Sequence, residues 1–514
     1  MFQYGKDRLT SGIALQLLRG EVKGAISRDS IQKIEECHKQ VQSIALGELA
    51  VYGINTGFGP LCNTKIDAKE TEDLQRSLLI SHSVGVGNPI SKELSKLMLI
   101  LKVHSLCKGF SGISMEIIQR LLWHFEEDII PLVPEQGSVG ASGDLAPLSH
   151  LFLPLIGEGK VYYQGKVQNA DQVLRSKNLQ PVKLHPKAGL ALINGTQFIL
   201  AHAVLVVDKL HNCLTHADAI AAMMIEGLKA SPMPFHDSLH EIRPHSGNMH
   251  VANKIYSMLR GSEIVASHKH CDRVQDPYSL RCAPQVHGSS RSAWLHLKEA
   301  VEIELNSVTD NPIVFSEDFT ISGGNFHGQP LALPIDYSCL AAAELGSISD
   351  RRTYLALDGK YDIPKLLMEN TGVNSGFMIC QYTSAALVSE NKGMCFPSSA
   401  DSIPTSMGQE DHVSMGSIGG RKALSVVENL EKILAVELLC AAQAIDFRRP
   451  LRSTDILEAI QSAVREKVSF ATKDRIFSKD IQLLTDLIRS RKLTEIIDAH
   501  TDQTEVDNTT FETY

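Results

Sequence analysis

The sequence predicts a mainly α-helical protein: a long-helix bundle with a mixed N-terminal region that carries a glycine-rich loop and a small β-hairpin. The clearest helical pattern places apolar residues at spacings of three and four, at Val427, Leu430, Leu434, Leu438, Ala441 and Ile445. Residues 160–167 (KVYYQGKV) instead alternate around Gln164-Gly165, which is typical of a hairpin. A chain of 514 residues exceeds one ordinary domain and can bury a large core.

The elements before the bundle are shorter. Helical spacing of apolar residues runs through three segments, residues 29–46, 67–82 and 91–107. Residues 51–60 (VYGINTGFGP) hold three glycines and a proline, which predict a loop. Long helices follow residue 187, with no internal repeat and no low-complexity linker. We therefore predict two domains, residues 1–190 and 191–514.

Composition excludes several classes of partner. The formal net charge is −9 and no run of lysine or arginine stands out, which argues against nucleic acid. The 10 cysteines are scattered singly, and the first residues lack the apolar segment of a signal peptide, so a cytoplasmic location is expected. Residues 189–207 carry no formal charge, but they include several polar side chains, and their dense apolar part is too short to span a membrane. A buried core helix, and no membrane partner, is expected.

Residues 137–144 (GSVGASGD) form a glycine-dense loop that leads into an apolar helical pattern. The loop has no lysine for a P-loop, has Asp144 where a nucleophile elbow needs glycine, and lacks the dinucleotide pattern G-x-G-x-x-G. What remains is Ala141-Ser142-Gly143. Attack of the Gly143 nitrogen on the Ala141 carbonyl carbon would close a five-membered ring, and loss of the Ser142 hydroxyl would leave an electrophilic methylidene. The alternative is a helix N-terminus, with Ser142 as cap and Asp144 in the first turn.

The longer stretch 140–150 (GASGDLAPLSH) resembles the signature of the aromatic amino acid ammonia-lyases. In that family the Ala-Ser-Gly triad becomes 4-methylideneimidazol-5-one (MIO), an electrophile that makes an amine a leaving group. The resemblance runs from about Leu9 to Arg491. It implies an ammonia-lyase that needs no external cofactor, with the MIO loop in the N-terminal region. It also implies a homotetramer of long helices whose active sites are shared between subunits.

Two further residues take their roles from the resemblance. Tyr52 lies in a segment similar to the family's Tyr-Gly-x-Asn-Thr-Gly-Phe-Gly, in which the tyrosine closes over the active site and would exclude water. By itself it could equally be an aromatic plug. Asn194 sits in the apolar, helix-like segment 189–207, and a buried asparagine needs a hydrogen-bond partner. The resemblance implies that its amide contacts the MIO carbonyl, whereas a structural hydrogen bond is the alternative.

Residues 274–287 (VQDPYSLRCAPQVH) resemble a second signature of the family. Gln275, Tyr278 and Arg281 are three residues apart, so a helical turn would align them along one face. The planar, charged fork of Arg281 suits a substrate carboxylate, and Gln275 is expected to help bind substrate. A tyrosine acts as a base only as its phenolate, a form that a neighbouring arginine and helix-terminal amides favour. The alternative is a surface turn with an ordinary tyrosine.

Three residues address the substrate. Position 82 contacts the substrate side chain in the family, and Ser81-His82 is similar to the histidine-specific form, although some tyrosine lyases share it. Phe326 would form an aromatic wall. Glu410 can hold the nitrogens of an imidazole, whereas phenylalanine and tyrosine lyases tend to have glutamine there. The resemblance therefore implies elimination of ammonia from L-histidine to give trans-urocanate, the first step of histidine degradation. A tyrosine or phenylalanine lyase, an MIO aminomutase and a non-catalytic helical scaffold stay open.

A group of histidines invites a metal-site interpretation. Its spacings match no standard site and are interrupted by Pro244 and Gly247, so no metal is expected. The group comprises His236, His240, His245, His250, His268 and the pair His270-Cys271.

Overall fold

The computed structural model describes residues 1–57, 66, 70–269, 272–500 and 509–514. Part of the predicted loop 51–60, the first residues of the predicted helix 67–82, and His270-Cys271 lie outside these ranges. Helices dominate the described chain, which confirms the predicted fold class. They are α1 (Ser11–Arg19), α2 (Arg28–Leu46), α3 (Thr71–His82), α4 (Lys92–Leu106), α5 (Met115–Glu126), α6 (Leu145–Phe152), α7 (Ala170–Ser176), α8 (Ala188–Ile193), α9 (Gln197–Gly227), α10 (Asp237–Glu241), α11 (Ser246–Leu259), α12 (Glu263–Ser267), α13 (Tyr278–Arg281), α14 (Ala283–Leu305), α15 (Gln329–Leu357), α16 (Met378–Met394), α17 (Gly416–Asp446), α18 (Asp455–Lys467), α19 (Phe477–Arg489) and α20 (Lys492–His500).

The strands form small separate sheets. β1 (Phe2–Tyr4) pairs in parallel with β2 (Gly24–Ile26), and the remaining pairings are antiparallel. The predicted hairpin is present as β6 (Lys160–Tyr163) and β7 (Lys166–Asn169), with Tyr163 opposite Lys166. The others are β3 (Val86–Pro89) with β5 (Pro134–Gln136), β4 (Ile130–Pro131) with β6, and β8 (Ile313–Ser316) with β9 (Phe319–Ile321).

The centre of the molecule is a bundle of four long helices, α9, α14, α15 and α17. All residues of α9 are buried except Asp208 and Lys209, which are half-buried. Apolar residues on every face of α9 require cover on every side, which is why it lies at the middle of the core. By length and composition α9 and α15 are apolar enough to cross a membrane, but most of each apolar stretch is buried inside the protein. Both are core helices.

The N-terminal helices begin where serine can cap them. Ser27, Ser91 and Ser114 each accept a hydrogen bond from the backbone N–H three residues further on, at the start of α2, α4 and α5. These bonds satisfy donors that lack partners in the first turn. The helices at residues 28–46, 71–82 and 92–106 confirm the three segments predicted from periodicity.

Two local predictions are wrong. The segment 189–207 is not one helix, because α8 ends at Ile193, Asn194 is extended, and Gly195 has a φ of +129° before α9 begins. Residues 275–281 do not form one helical turn either. Only Tyr278–Arg281 is helical, and Gln275 lies outside the helix, since Pro277 disfavours helical geometry in the residue before it.

Candidate active site

The loop at residues 137–144 connects β5 to α6 and follows an unusual backbone path. Ser142 has a φ of +53° and Gly143 a φ of +79°. A left-handed serine is uncommon and persists only where its surroundings hold it. The helix begins at Leu145 with Asp144 at its N-cap position, without a side-chain cap hydrogen bond. The interpretation of Ser142 as a helix cap is therefore wrong.

The break between α8 and α9 packs directly against this loop. Gly143 forms a bridge with Gly195, and the Asp144 backbone N–H donates to the Gly195 carbonyl at 2.7 Å. The Asn194 Nδ2 donates to the Ser142 carbonyl oxygen at 3.0 Å. A Cβ at position 143 would clash with the Gly195 carbonyl, so this approach requires glycine. The buried Asn194 Oδ1 accepts no hydrogen bond from the described residues.

The Asp144 side chain ties the loop to the bundle. Its Oδ2 accepts hydrogen bonds from the backbone N–H groups of Phe198 (2.9 Å) and Ile199 (3.0 Å), in the first turn of α9. Its Oδ1 accepts one from the Ser417 hydroxyl of α17 at 2.7 Å. Complete burial raises the pKa of Asp144 to about 7, although these hydrogen bonds lower it. The carboxyl group therefore fixes the position of the Ala-Ser-Gly triad relative to two central helices.

Glu410 contacts the triad from the other direction. The Ser142 hydroxyl donates to Glu410 Oε1 at 2.9 Å, across 268 residues of sequence. The second carboxylate oxygen, Oε2, accepts from Thr405 Oγ1 (3.0 Å) and Ser406 Oγ (2.7 Å). These two hydroxyls orient the carboxylate, and one oxygen faces the hydroxyl that the proposed ring chemistry would remove.

His82, the last residue of α3, lies beside the same loop. It lines a cleft of about 200 Å³ together with Ser81, Val84 and residues of the 137–146 segment. Its Nδ1 is 3.0 Å from the Ser81 hydroxyl. Burial lowers the pKa of His82, while the Leu78 carbonyl and the charge of Glu410 raise it. The Glu410 carboxylate is therefore near enough to favour the charged form of the imidazole.

Tyr52 and Phe326 occupy flanking loops. Tyr52 is half-buried against the main core, and the adjacent Gly53 packs so closely on Leu190 of α8 that a Cβ there would clash with it. Phe326 is half-buried in the loop before α15. The next residue, His327, places its Nε2 3.3 Å from the His412 carbonyl, which joins this loop to the one that carries Glu410.

Gln275, Tyr278 and Arg281 gather at a second place. They line an open cleft of about 590 Å³ with Arg273, Lys360 and Tyr361. The Arg281 guanidinium lies 4.5 Å from the centre of the Tyr278 ring and donates through Nε to the Asp276 carbonyl at 2.9 Å. Tyr278 is 72% exposed. In the described part of the chain, this cleft shares no lining residue with the cleft beside His82. The Tyr278 cluster, which is Gln275, Tyr278 and Arg281, is therefore distinct from the cluster at the triad, and Tyr52 and Phe326 line neither cleft.

The motifs do not predict three residues that hold the triad or its partner Asn194. Asp144 is expected only in a first helical turn, and no role is predicted for Lys102 or Ser417. Lys102 carries a signal, because it is a single charge inside the apolar run 97–106 (LMLILKVHSL). Ser417 carries none. Among the described residues no group of three or more His, Cys, Asp or Glu side chains could hold a metal ion.

Comparisons with known proteins place this geometry in a family. The sequence profile described as "Aromatic amino acid lyase" matches residues 9–466. The chain is 44% identical to the histidine ammonia-lyase of Pseudoalteromonas atlantica over 97% of this chain and 98% of that protein, and 45% identical to that of Myxococcus xanthus over 95% and 96%. The human histidine ammonia-lyase is 44% identical over 95% of this chain and 76% of its own.

Solved structures agree with these relatives. The crystal structure of histidine ammonia-lyase from Trypanosoma cruzi superposes with a TM-score of 0.91 at 40% identity, covering 99% of this chain and 97% of that one. Tyrosine aminomutase from Streptomyces globisporus superposes with a TM-score of 0.91 at 33% identity, covering 98% and 99%. Over nearly its whole length, the chain belongs to the aromatic amino acid lyase family.

Proposed function

We propose that this protein is a histidine ammonia-lyase, a carbon–nitrogen lyase that converts L-histidine to trans-urocanate and ammonia. The observation that carries the substrate assignment is the Glu410 carboxylate, which accepts a hydrogen bond from Ser142 at the triad and whose charge raises the pKa of His82. A carboxylate can accept a hydrogen bond from an imidazole N–H, which a phenyl ring cannot offer. Relatives that share nearly the full length of this chain are histidine ammonia-lyases.

The residues around the triad fit formation of MIO from Ala141-Ser142-Gly143. The left-handed Ser142 and Gly143 give the tight backbone that a five-membered ring needs. Asn194 donates to the carbonyl oxygen that would remain on the ring, and its own Oδ1 is buried without a hydrogen bond from the described residues. When present, MIO supplies an electrophile that makes the amine a better leaving group. No external cofactor is required.

The remaining residues then have distinct tasks. Glu410 and His82 orient the imidazole ring of the substrate, and Phe326 covers an apolar face of that ring. The Arg281 fork and Gln275 bind the carboxylate, while the Tyr278 phenolate takes a proton from the β-carbon as ammonia leaves the α-carbon. Tyr52 closes over the site and excludes water.

The two clusters support a shared active site. The Tyr278 cluster is open and exposed, so a second copy of the chain can present it to the triad of the first. Apolar side chains on α15 and α16 are exposed in the single chain, which suits a homotetramer built on long helices: Leu333, Tyr337, Leu340, Tyr354, Ile379 and Tyr382. A division at residues 1–190 and 191–514 and a cytoplasmic location complete the proposal.

The test is turnover combined with mass. Purified protein is incubated separately with L-histidine, L-tyrosine and L-phenylalanine, and formation of the unsaturated acid is followed by ultraviolet absorbance. We expect the highest kcat/KM for L-histidine and an intact mass that is lower than the translated sequence by two waters. A preference for L-tyrosine, or a β-amino acid product, would contradict the histidine assignment and leave the MIO chemistry intact. An unmodified mass would contradict the cofactor.

A further inference from the structure

Lys102 is buried at the centre of the fold, in an apolar turn of α4. The residue is 1% exposed. Its Nζ donates to the backbone carbonyl of Asn194 at 2.7 Å, and Gln197 Oε1 lies 3.4 Å away. Both acceptors are neutral. The carbonyl is that of the residue whose side chain reaches the Ser142 carbonyl.

No carboxylate of the described residues contacts Lys102, and a buried lysine without such a partner is costly. Burial lowers the pKa of Lys102 to about 7, Asp310 and Asp144 raise it, and Lys187 lowers it further. Lys187, by contrast, is buried in an ion pair, since its Nζ is 2.6 Å from Asp310 Oδ2. An apolar side chain at position 102 would suit the core better. We therefore attribute the presence of lysine at this position to the hydrogen bond that it donates to the Asn194 carbonyl.

This donor completes a set of restraints on the turn between α8 and α9. The Asn194 carbonyl accepts from Lys102, and the next carbonyl, of Gly195, accepts from the Asp144 N–H. With two consecutive carbonyls held, the Asn194 carboxamide is aimed at the Ser142 carbonyl oxygen. Loss of the Lys102 bond would free the first carbonyl and let that carboxamide move.

We propose that Lys102 is a positioning residue for formation of the electrophile and acts through Asn194. The inference rests on the proposed function. In ring closure the Gly143 nitrogen bonds to the Ala141 carbonyl carbon. The Ala141 oxygen leaves as water with the protons of the Gly143 and Ser142 nitrogens. The Ser142 hydroxyl then leaves as a second water with the proton of its own Cα, and the Cα–Cβ double bond forms.

Asn194 bears on the second dehydration. A hydrogen bond to the Ser142 carbonyl stabilises the negative charge that develops as the Cα proton departs. Lys102 keeps that hydrogen bond in place, so its removal should slow maturation of the chain even where the fold survives.

The experiment measures maturation rather than activity alone. Lys102→Met removes the donor, and Lys102→Gln keeps a donor on a side chain one bond shorter. Lys254→Met is the matched control, because Lys254 is also buried but donates to Glu512 in the C-terminal segment, at 2.9 Å. The fraction of chains lighter by two waters is followed by intact-mass spectrometry after a pulse of expression, with melting temperature as the measure of folding.

We expect Lys102→Met to mature about tenfold more slowly than wild type, since the hydrogen bond that holds the Asn194 carbonyl is lost. Lys102→Gln should mature at a rate between those of wild type and Lys102→Met, and Lys254→Met should mature at the wild-type rate whatever its melting temperature. A wild-type rate in Lys102→Met or in Lys102→Gln overturns the proposal. If Lys102→Met does not fold, Lys102→Gln decides alone. A wild-type chain of unmodified mass would refute the proposed function instead.

Discussion

Ser142 occupies a backbone conformation that costs a serine about 1–3 kcal/mol. The contacts on each side offset that cost: Asn194 at its carbonyl, Glu410 at its hydroxyl and Asp144 in the following turn. The strain places the hydroxyl and the Gly143 nitrogen where the proposed ring requires them. Under the proposed chemistry, loss of the Ser142 Oγ is the step that makes the loop electrophilic.

Ser142→Ala removes only the hydroxyl that would leave as the second water. We expect a folded protein of unchanged melting temperature to within a few degrees, whose mass lacks the two-water loss and whose kcat for L-histidine falls by orders of magnitude. Mass spectrometry and a urocanate assay on the same sample measure both. Near-normal turnover in this variant would show that the electrophile does not come from Ser142.

Glu410→Gln keeps the shape of the side chain and removes its charge. Charge-assisted hydrogen bonds are roughly twice as strong as neutral ones, so kcat/KM for L-histidine should fall at least about tenfold. Turnover of L-phenylalanine and L-tyrosine should change far less. Since Glu410 also accepts from the Ser142 hydroxyl, the mature fraction is determined first by mass and rates are expressed per mature chain. An equal loss for all three amino acids would assign Glu410 to general catalysis or structure.

At the scale of elements, the site depends on two non-helical connections that pack against each other. They are the loop between β5 and α6 and the turn between α8 and α9. Each has a glycine with positive φ, Gly143 and Gly195, and the two form a bridge. Neither element contains the whole site. Their contact brings the asparagine amide to the serine carbonyl.

Gly143→Ala tests this contact. The new Cβ would clash with the Gly195 carbonyl, so the turn must shift, and we expect lower stability and little or no two-water loss. Gly165→Ala in the hairpin is the control, because Gly165 has a φ of +74° but nothing near its Cβ position. The free energy of unfolding should fall by about 1 kcal/mol in both variants because of the unfavourable φ, whereas only Gly143→Ala should fail to mature. Full maturation of Gly143→Ala would contradict the importance of the close approach.

The elements that were predictable are those with a strong local pattern. Helical spacing of apolar residues identified α2 and α4, and alternation around Gln164-Gly165 identified the hairpin. The break at Asn194 was missed because apolar periodicity reports which residues are buried, not where the backbone leaves a helix. The interruption between α8 and α9 is stabilised by the contact of Gly195 with Gly143, and Gly143 is remote from Gly195 in sequence.

The site was predictable to a similar extent. The resemblance identified the triad, Asn194 and Glu410, and the structure brings them together. The single charge within the apolar run 97–106 marks Lys102, but its role was not predictable because its partner, a backbone carbonyl, has no sequence signature. Gln275 lies beside Tyr278 and Arg281 as predicted, but it is not in their helical turn. The prediction did not include the effect of Pro277, which disfavours helical geometry in the residue before it.

At the scale of the whole molecule, the separation of the Tyr278 cluster from the triad predicts complementation between inactive chains. Ser142→Ala and Tyr278→Phe should each be nearly inactive alone. If each site draws the two residues from different subunits, about one quarter of the sites in randomly mixed oligomers receive both native residues. Such oligomers should therefore recover about one quarter of wild-type activity. Co-expression with two affinity tags isolates the mixed species. Mixed oligomers without activity would place both residues in one chain.

Buried histidines predict how stability depends on pH. Burial lowers the pKa of His104, His124 and His202 to about 4, and of His211 and His216 to about 3, from an ordinary value of 6.5. Below pH 6.5 the unfolded chain therefore binds more protons than the folded chain, and stability falls as pH falls towards 4. Asp144 and Glu226, whose pKa values burial raises to about 7, act in the opposite sense but are fewer.

The measurement is the free energy of unfolding between pH 7.5 and 5 at fixed protein concentration. Replacing one such residue, His124→Gln, should reduce the slope by up to about 1.4 kcal/mol per pH unit. His245→Gln, at an exposed histidine, should leave the slope unchanged. A slope that is the same in wild type and His124→Gln would show that His124 is not buried as a neutral group.

The long sequence separation of the triad's partners has a consequence for synthesis in the cell. Glu410 lies 268 residues beyond Ser142, and Ser417 lies 273 residues beyond Asp144. A ribosome adds about 5–20 residues per second, so the nascent Ala-Ser-Gly waits roughly ten seconds or more for these side chains to exist. Under the proposed chemistry, a product truncated before Glu410 lacks both partners, so the segment that would form the electrophile is not yet held in place. We therefore expect ring closure only after most of the chain has been translated, which would keep a group able to react with cellular amines and thiols out of early truncation products.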